Sequence, residues 1–304
     1  MTPSSKFPYP PFDLATRVAK LPSNDFAGFI HYEMAGRELR QALIDLLPDR
    51  YELAGRRVLD FGSGSGRTLR HFASEAETGG DYWGIDIDAP SVTWMQQNLC
   101  PPFNARVCGT APPVAFESES FDLIWALSVF THLTEHSAEW LLELHRVLKP
   151  DGLMIASYMG RWNSETLAHE PWDETRIGMN VLQHDRPWDR GGPVVLMSDW
   201  WIEEHWGRAF DLVDRRPRVF NQTWQLLRKR DVSITPDELM APASCDEREM
   251  RALRHNLIQL QREATRLRDE VEAWQENVAE VQRSLSWRMT APLRRARGVI
   301  GRSD

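Results

Sequence analysis

Val58-Leu59-Asp60-Phe61-Gly62-Ser63-Gly64-Ser65-Gly66-Arg67 is the stretch whose reading decides the fold. A short apolar run enters a glycine-spaced turn and passes into Thr68-Leu69-Arg70-His71-Phe72, the pattern of a strand, a tight loop and the first turn of a helix. Glycines let a ligand approach without a Cβ in the way, and backbone N–H groups at a helix start are free to meet it. A small-molecule cofactor is expected over this turn.

A second strand, Tyr82-Trp83-Gly84-Ile85-Asp86-Ile87-Asp88, strengthens that expectation. In a parallel sheet Asp86 stands at the carboxyl edge of the strand beside the turn, where a carboxylate can accept both hydroxyls of a ribose. Two cofactor classes compete, a dinucleotide and S-adenosylmethionine. A dinucleotide pattern would place its third glycine at 67, where Arg67 stands, and Asp60 offers a carboxylate suited to the cationic amino acid end of S-adenosylmethionine. The methyl donor is the better match.

Over about residues 55 to 228 the chain resembles the class I S-adenosylmethionine-dependent methyltransferases. Leu59 to Gly66 matches the first motif of that family and Gly84-Ile85-Asp86-Ile87-Asp88 its acidic second-strand motif. Ser120-Phe121-Asp122-Leu123-Ile124 and Leu144 to Gly152 look like its fourth strand and the turn before the fifth, with Asp151 where the family usually has Gly. The resemblance implies that Asp60, Gly62 and Gly64, with Ser63 between them, contact the amino acid end of the donor, that Asp86 contacts its ribose, and that Ile87 lies on the adenine face. Relatives commonly carry an acidic residue at the position of Thr110; here the hydroxyl of Thr110, or the backbone of Thr110 and Ala111, would replace it at the adenine.

Alternation of pattern predicts strands near 57–61, 82–86, 105–108, 122–128 and 152–158, and helices near 66–76, 89–99 and 136–147. Such alternation implies a parallel, doubly wound sheet of Rossmann-like α/β class. A helix over 199–206 and a closing strand pair at 210–214 and 223–227 follow, and the resemblance implies that this pair is an antiparallel hairpin. Ahead of the sheet, residues 1–48 read as a proline-rich start and helices ending at Pro48, and they would cover the cofactor cleft. His31 and Tyr32 could face that cleft, or pack as ordinary neighbours of the sheet.

At the carboxyl end of the fourth strand, Ser128 and Val129 would flank the methyl-bearing sulfonium, and His132 sits where a general base could reach an acceptor hydroxyl. It can equally orient the loop or cap the helix that begins near Thr134. Some relatives bind a divalent ion through acids flanking this histidine; Ser128 and Thr131 stand in their place, so no metal is expected. Within the domain expected over 49–230, the segment 159–198 is too long for a simple turn and reads as an acceptor lid. Its Trp162, Trp172 and Trp188, among Glu170, Asp173, Glu174, Asp185, Arg186, Asp189 and Arg190, suit a polyhydroxylated acceptor. His169 and His184 are secondary candidates for the base.

A linker is expected over 231–245. Beyond it, Met250, Leu253, Leu257, Leu260, Ala264, Leu267, Val271, Trp274, Val278, Val281 and Leu285 keep the 3-4 spacing of a coiled coil within residues 246–286. With Leu257 as an a position, Glu263 is g and Arg268 the e position that a parallel partner would present, so residues 250–285 suit a homo-oligomer or a partner coil. A helix folded back on the domain is the competing reading. The tail, 287–304, holds Arg288, Arg294, Arg295, Arg297 and Arg302 between apolar residues, and suits an anionic membrane surface, a partner, or solvent. Ser284 to Arg294 resembles a terminal segment of bacterial envelope-polysaccharide biosynthesis proteins.

Composition sets outer bounds. The 304 residues carry a net charge of −8, which disfavours nucleic acid as a partner. Cys100, Cys108 and Cys245 have no metal-binding spacing, no apolar run reaches membrane-spanning length, and the amino end does not read as a signal peptide, so a cytoplasmic home, peripheral to the inner face of the membrane if the tail binds it, is expected. The expectation is therefore a methyltransferase acting on a sugar hydroxyl during surface-glycan assembly. Its rivals are a methyltransferase for a small metabolite or lipid, and a coiled-coil scaffold with a non-catalytic cofactor domain.

Overall fold

The computed structural model describes residues 6–18, 23–169, 171–184, 186–188, 191–243 and 246–283. Glu170, Asp185, Asp189, Arg190, Cys245, Leu285 and the whole tail from 287 therefore lie outside the described residues. The chain divides into two units, Met1–Ala252 and Leu253–Asp304.

The first unit is built on a seven-stranded sheet of order β3-β2-β1-β4-β5-β9-β8. Its strands are β1 (Arg57–Phe61), β2 (Asp81–Asp86), β3 (Asn104–Val107), β4 (Phe121–Ala126), β5 (Leu148–Tyr158), β8 (Phe210–Val219) and β9 (Gln222–Lys229). The first five pair in parallel, and β9 runs antiparallel to both β5 and β8. This is the doubly wound sheet with a closing hairpin that the alternation and the resemblance implied.

Side chains alternate across the sheet, and both faces are covered. Val58, Leu123, Trp125, Leu153 and Ile155 pack on one side with Leu39, Leu43 and Leu46 of helix α2 (Phe26–Leu46) and Met95 of α4 (Ala89–Asn98). Leu59, Phe61, Ile124, Ala126, Met154 and Ala156 pack on the other with Trp140, Leu141 and Leu144 of α5 (Ser137–Val147) and Trp200 to Ile202 of α7 (Asp199–His205). At roughly 1.5–3 kcal/mol for each fully buried large apolar side chain, these two layers dominate the stability of the unit. Ahead of α2 lies α1 (Phe12–Val18), and Asp25 caps α2 by accepting from the N–H groups of Ala27 and Gly28 at 3.0 and 3.2 Å.

Two segments differ from the sequence reading. After the glycine turn there is no helix from residue 66; a 3-10 turn over Leu69–Phe72 leads into the short α3 (Ala73–Glu77), because Gly62, Gly64 and Gly66 all take positive φ. The long segment after β5 carries elements that the sequence reading did not place. It holds α6 (Arg161–Asn163), a π turn over Ser164–Ala168 and an antiparallel pair, β6 (Met179–Leu182) with β7 (Val194–Met197). Asp151, in the place where the family usually has Gly, has φ +57°, a conformation that glycine takes freely and Asp tolerates.

Within the stretch expected as a linker, α8 (Pro236–Met240) buries Leu239 and is capped reciprocally by Thr235 and Glu238. The start of α9 (Glu247–Arg283) packs on the same unit: Ala252 is buried, and Glu249 Oε1 lies 2.9 Å from Nε2 of buried His205, whose Nδ1 donates to the Leu239 carbonyl at 2.8 Å. Removing one partner of such a buried pair strands the other. Glu249→Ala is expected to destabilise the unit by about 3–5 kcal/mol, with Glu249→Gln costing less, as read from urea unfolding midpoints; unchanged midpoints would contradict a structural role for the pair.

Candidate functional site

The glycine turn is stitched to β2. The N–H groups of Gly62 and Ser63 both reach the Ile85 carbonyl, at 2.8 and 3.1 Å, that of Gly64 donates to Asp86 Oδ2 at 2.7 Å, and that of Gly66 donates to the Ser63 carbonyl at 2.9 Å. Donors that the sequence reading left free for a ligand are thus spent inside the fold. A Cβ on Gly62 would come within 2.4 Å of Val129 Cγ2, so this glycine is needed for the close approach of the β4 loop as well as for its φ of +81°. Tyr32, fully buried, lays its hydroxyl 3.0 Å from Ser65 Oγ, whereas His31 is exposed. Helix α2 therefore covers the turn through Tyr32.

Two carboxyls end adjacent strands here. Asp86 accepts from Gly64 N–H on one oxygen and from Asp88 N–H, at 2.8 Å, on the other. Each oxygen keeps a lone pair, enough to accept a pair of ribose hydroxyls. Burial raises its pKa against these bonds. Asp60 is 4% exposed, and burial pushes its pKa up to about 8; the Trp125 indole and the Arg67 guanidinium pull it down, and the charge of Asp86 adds to the rise. A buried carboxyl with no cation in ion-pair contact among the described residues fits an incoming ammonium. The residues present therefore suit the methyl donor: Asp60 for its amino group and Asp86 for its ribose.

Other expected contacts fall around this centre. Ile87 is 38% exposed at the end of β2, as an adenine platform requires. Thr110 is exposed, and its carbonyl is occupied by the Trp140 indole N–H at 3.1 Å, which leaves its hydroxyl; Ala111, next to it, is half-buried. Ser128 takes φ +59° and is locked by a ring of hydrogen bonds. Its N–H donates to Ser157 Oγ at 2.6 Å, the Ser157 hydroxyl donates to Gln222 Oε1 at 2.7 Å, and Gln222 Nε2 donates to Ser128 Oγ at 2.9 Å. Ser157 and Gln222 carried no sequence signal, since only the antiparallel return of β9 brings them to the β4 loop.

The segment after β5 reaches the same loop. Val195 N–H donates to the Thr131 carbonyl at 2.8 Å, and His132 Nδ1 lies 2.7 Å from the Pro193 carbonyl oxygen. A carbonyl only accepts, so Nδ1 carries the proton and Nε2 keeps its lone pair. Burial lowers the His132 pKa; the Pro193 bond pulls it up and the Arg186 charge pushes it down. The ring is neutral at neutral pH, with the edge of Trp188, half exposed, at 5.8 Å between centroids. His184 pairs with Glu135 at 2.8 Å, and His169 is exposed in the left-handed region; neither is brought to the cleft residues by a described contact.

Residues 59–156 match the model of a family described as a methyltransferase domain. The chain carries a methyltransferase domain. It is of the class I, S-adenosylmethionine-dependent type, and S-adenosylmethionine is its cofactor. Among curated proteins it is similar to phthiotriol/phenolphthiotriol dimycocerosates methyltransferase 1 of Mycobacterium ulcerans, 28% identical over 146 residues, 48% of each chain. It is also similar to the ubiquinone biosynthesis O-methyltransferase of Azorhizobium caulinodans, 32% identical over 112 residues, 36% of this chain and 42% of that protein. The chain thus spans about half or less of the length of the curated relatives it matches. Among solved structures, a chain of the complex between the Haloferax volcanii Trm112 methyltransferase activator and a methyltransferase shares the fold, with a TM-score of 0.50 at 14% identity, covering 73% of this chain and 99% of that one.

Asp60 supplies a test of the methyltransferase domain that needs no acceptor. Folded, it holds its proton up to about pH 8; unfolded, it loses it near the ordinary carboxylate pKa of about 4. Stability must therefore fall as pH rises between those values and level off above them. Asp60→Asn removes that slope, so its thermal midpoint is expected to gain on the parent with rising pH, by about 2–4 °C for each kcal/mol recovered. Circular dichroism melts across the window check this, and parallel pH dependences would refute the buried-acid assignment.

Proposed function

We propose that the protein methylates a hydroxyl group from S-adenosylmethionine, and that the acceptor is a sugar of a bacterial surface glycan. The cofactor, when bound, supplies a methyl group already activated on a sulfonium. The chain's own tasks are to align the acceptor and take its proton. Supporting this is the single arrangement of His132, neutral and with Nε2 unprotonated, beside the open indole of Trp188. An indole face packs on the C–H side of a sugar ring while the imidazole accepts from a hydroxyl. Ser128 and Val129 would border the methyl group, Ser63, Gly62 and Gly64 the amino acid end, and Thr110 and Ala111 the adenine. The names of the two mycobacterial and rhizobial relatives favour a second acceptor class, a lipid or quinone hydroxyl.

Labelled donor offered with glycan intermediates and with phenolic lipids separates the two classes. His132→Ala is expected to lower the rate by about 10²- to 10⁴-fold while leaving donor affinity unchanged. In the parent, activity should fall on the acid side only below the usual imidazole range, because the base must be unprotonated and its pKa is lowered. Equal rates in the parent and His132→Ala would defeat this assignment, and absence of donor binding would defeat the enzymatic reading altogether.

The exposed stripe of α9 is consistent with association. Among the described residues α9 leaves Met250, Leu253, Leu257, Leu260, Val271, Trp274, Val278 and Val281 exposed at a and d spacing. A second copy in parallel would cover them, setting Glu263 against Arg268 and no like charges at the remaining e and g places, which are amides, Arg254 and Glu270. The basic tail, outside the described residues, would rest on an anionic membrane surface at the inner face of the cell envelope; no described helix is long and apolar enough to cross a membrane. Leu260→Lys with Val271→Lys is expected to halve the mass measured by light scattering; a mass already equal to one chain in the parent would exclude the pairing.

A further inference from the structure

Ser128, just past the end of β4, stands in the left-handed region at φ +59°. For a serine this is a strained conformation. Its side chain is exposed, so no burial of its own offsets the strain. Residues held in this way persist only where their surroundings over-determine them, and they gather at binding sites.

The surroundings here are buried partners from two other strands. Ser128 N–H donates to Ser157 Oγ at 2.6 Å, and Ser128 Oγ accepts from Gln222 Nε2 at 2.9 Å. Ser157 is fully buried, and its one hydroxyl hydrogen goes to Gln222 Oε1 at 2.7 Å. That bond turns the amide so that its oxygen faces Ser157 and its nitrogen faces Ser128. Gln222 is anchored in turn, because the carbonyl of Asn221 beside it accepts from Nδ2 of buried Asn163 at 2.7 Å.

The other side of this loop meets the cofactor turn. Val129 follows Ser128 directly, and its Cγ2 lies 2.4 Å from where a Cβ on Gly62 would stand. The turn does not yield, since the N–H groups of Gly62 and Ser63 are both bonded to the Ile85 carbonyl. Ser128 and Val129 are therefore clamped between the hydrogen-bonded ring and the glycine turn. Relaxing Ser128 to a negative φ would redirect the chain into Val129 and lift its side chain from Gly62.

We propose that Ser157 and Gln222 are positioning residues of the cofactor site: by holding Ser128 left-handed they keep Val129 seated on the glycine turn, and so set the wall against which S-adenosylmethionine binds. This rests on reading that turn as the seat of the methyl donor. It makes the closing hairpin, whose Gln222 lies 94 residues beyond Ser128, a determinant of donor affinity. Apparent affinity falls with the fraction of molecules whose loop is in the competent conformation.

Glycine takes a positive φ without strain, so Ser128→Gly removes the need for the ring. In calorimetric titrations of the full chain with S-adenosylhomocysteine, Gln222→Ala is expected to bind about tenfold more weakly than the parent. In the Ser128→Gly background the same substitution is expected to change affinity by less than about twofold. Thermal melts read the structural share separately: Gln222→Ala strands the buried Ser157 hydroxyl and lowers the midpoint in both backgrounds. Ser157→Ala, read in the same cycle, carries the test if Gln222→Ala does not fold. Equal affinity in the parent and Gln222→Ala would overturn the positioning role and leave the ring to the fold alone, and so would an equal loss in both backgrounds. A parent chain that does not bind S-adenosylhomocysteine would overturn the reading of the turn as the donor's seat, and this proposal with it.

Discussion

The seam between the glycine turn and the second strand is the constraint on which the site depends. Three consecutive backbone N–H groups, of Gly62, Ser63 and Gly64, are consumed by the Ile85 carbonyl and the Asp86 carboxylate. Such bonding closes the turn over the end of β2 and leaves no room for side chains: a Cβ at Gly84 would meet Met95 Cε at 2.7 Å and Ser63 Oγ at 2.9 Å. The glycines therefore serve the approach of two strand ends at least as much as the approach of a ligand. Their consequence is to bring two acids, Asp60 and Asp86, close enough that the charge of Asp86 disfavours that of Asp60.

The wall facing that seam owes its order to contacts from later in the chain. Ser128 holds a left-handed conformation because Ser157 and Gln222 bond it from β5 and from the start of β9. Thr131 and His132 are held by Val195 and Pro193 of the inserted segment. The last of these contacts sets the tautomer of His132. The inserted segment thus also determines which imidazole nitrogen keeps its lone pair, through one hydrogen bond.

Sequence alone made the sheet legible because period-two burial and glycine spacing are local signals. The places of Asp60, Gly62 and Asp86 at the strand ends were legible by the same means. The 3-10 turn after Gly66 was missed because three positive-φ glycines in five residues prevent a helix that apolar spacing predicts. Gln222 and Ser157 were missed for another reason: their partnership depends on a strand order that places β9 beside β5, and nothing in their neighbours announces it.

The helix α9 shows where periodicity stops being informative. One unbroken 3-4 pattern runs through it and is mostly exposed from Met250 onward, while the residues buried at its start, Glu249 and Ala252, lie off that pattern. Glu249 is buried although it belongs to no apolar stripe, because His205 awaits it. Spacing therefore establishes that a stripe exists without saying what covers it. Over the 37 residues of this helix a stripe of Leu, Val and Trp stays largely in water among the described residues. Within the helix Glu263 lies near Arg266 at 3.7 Å, so its charge is already partly answered along the same chain.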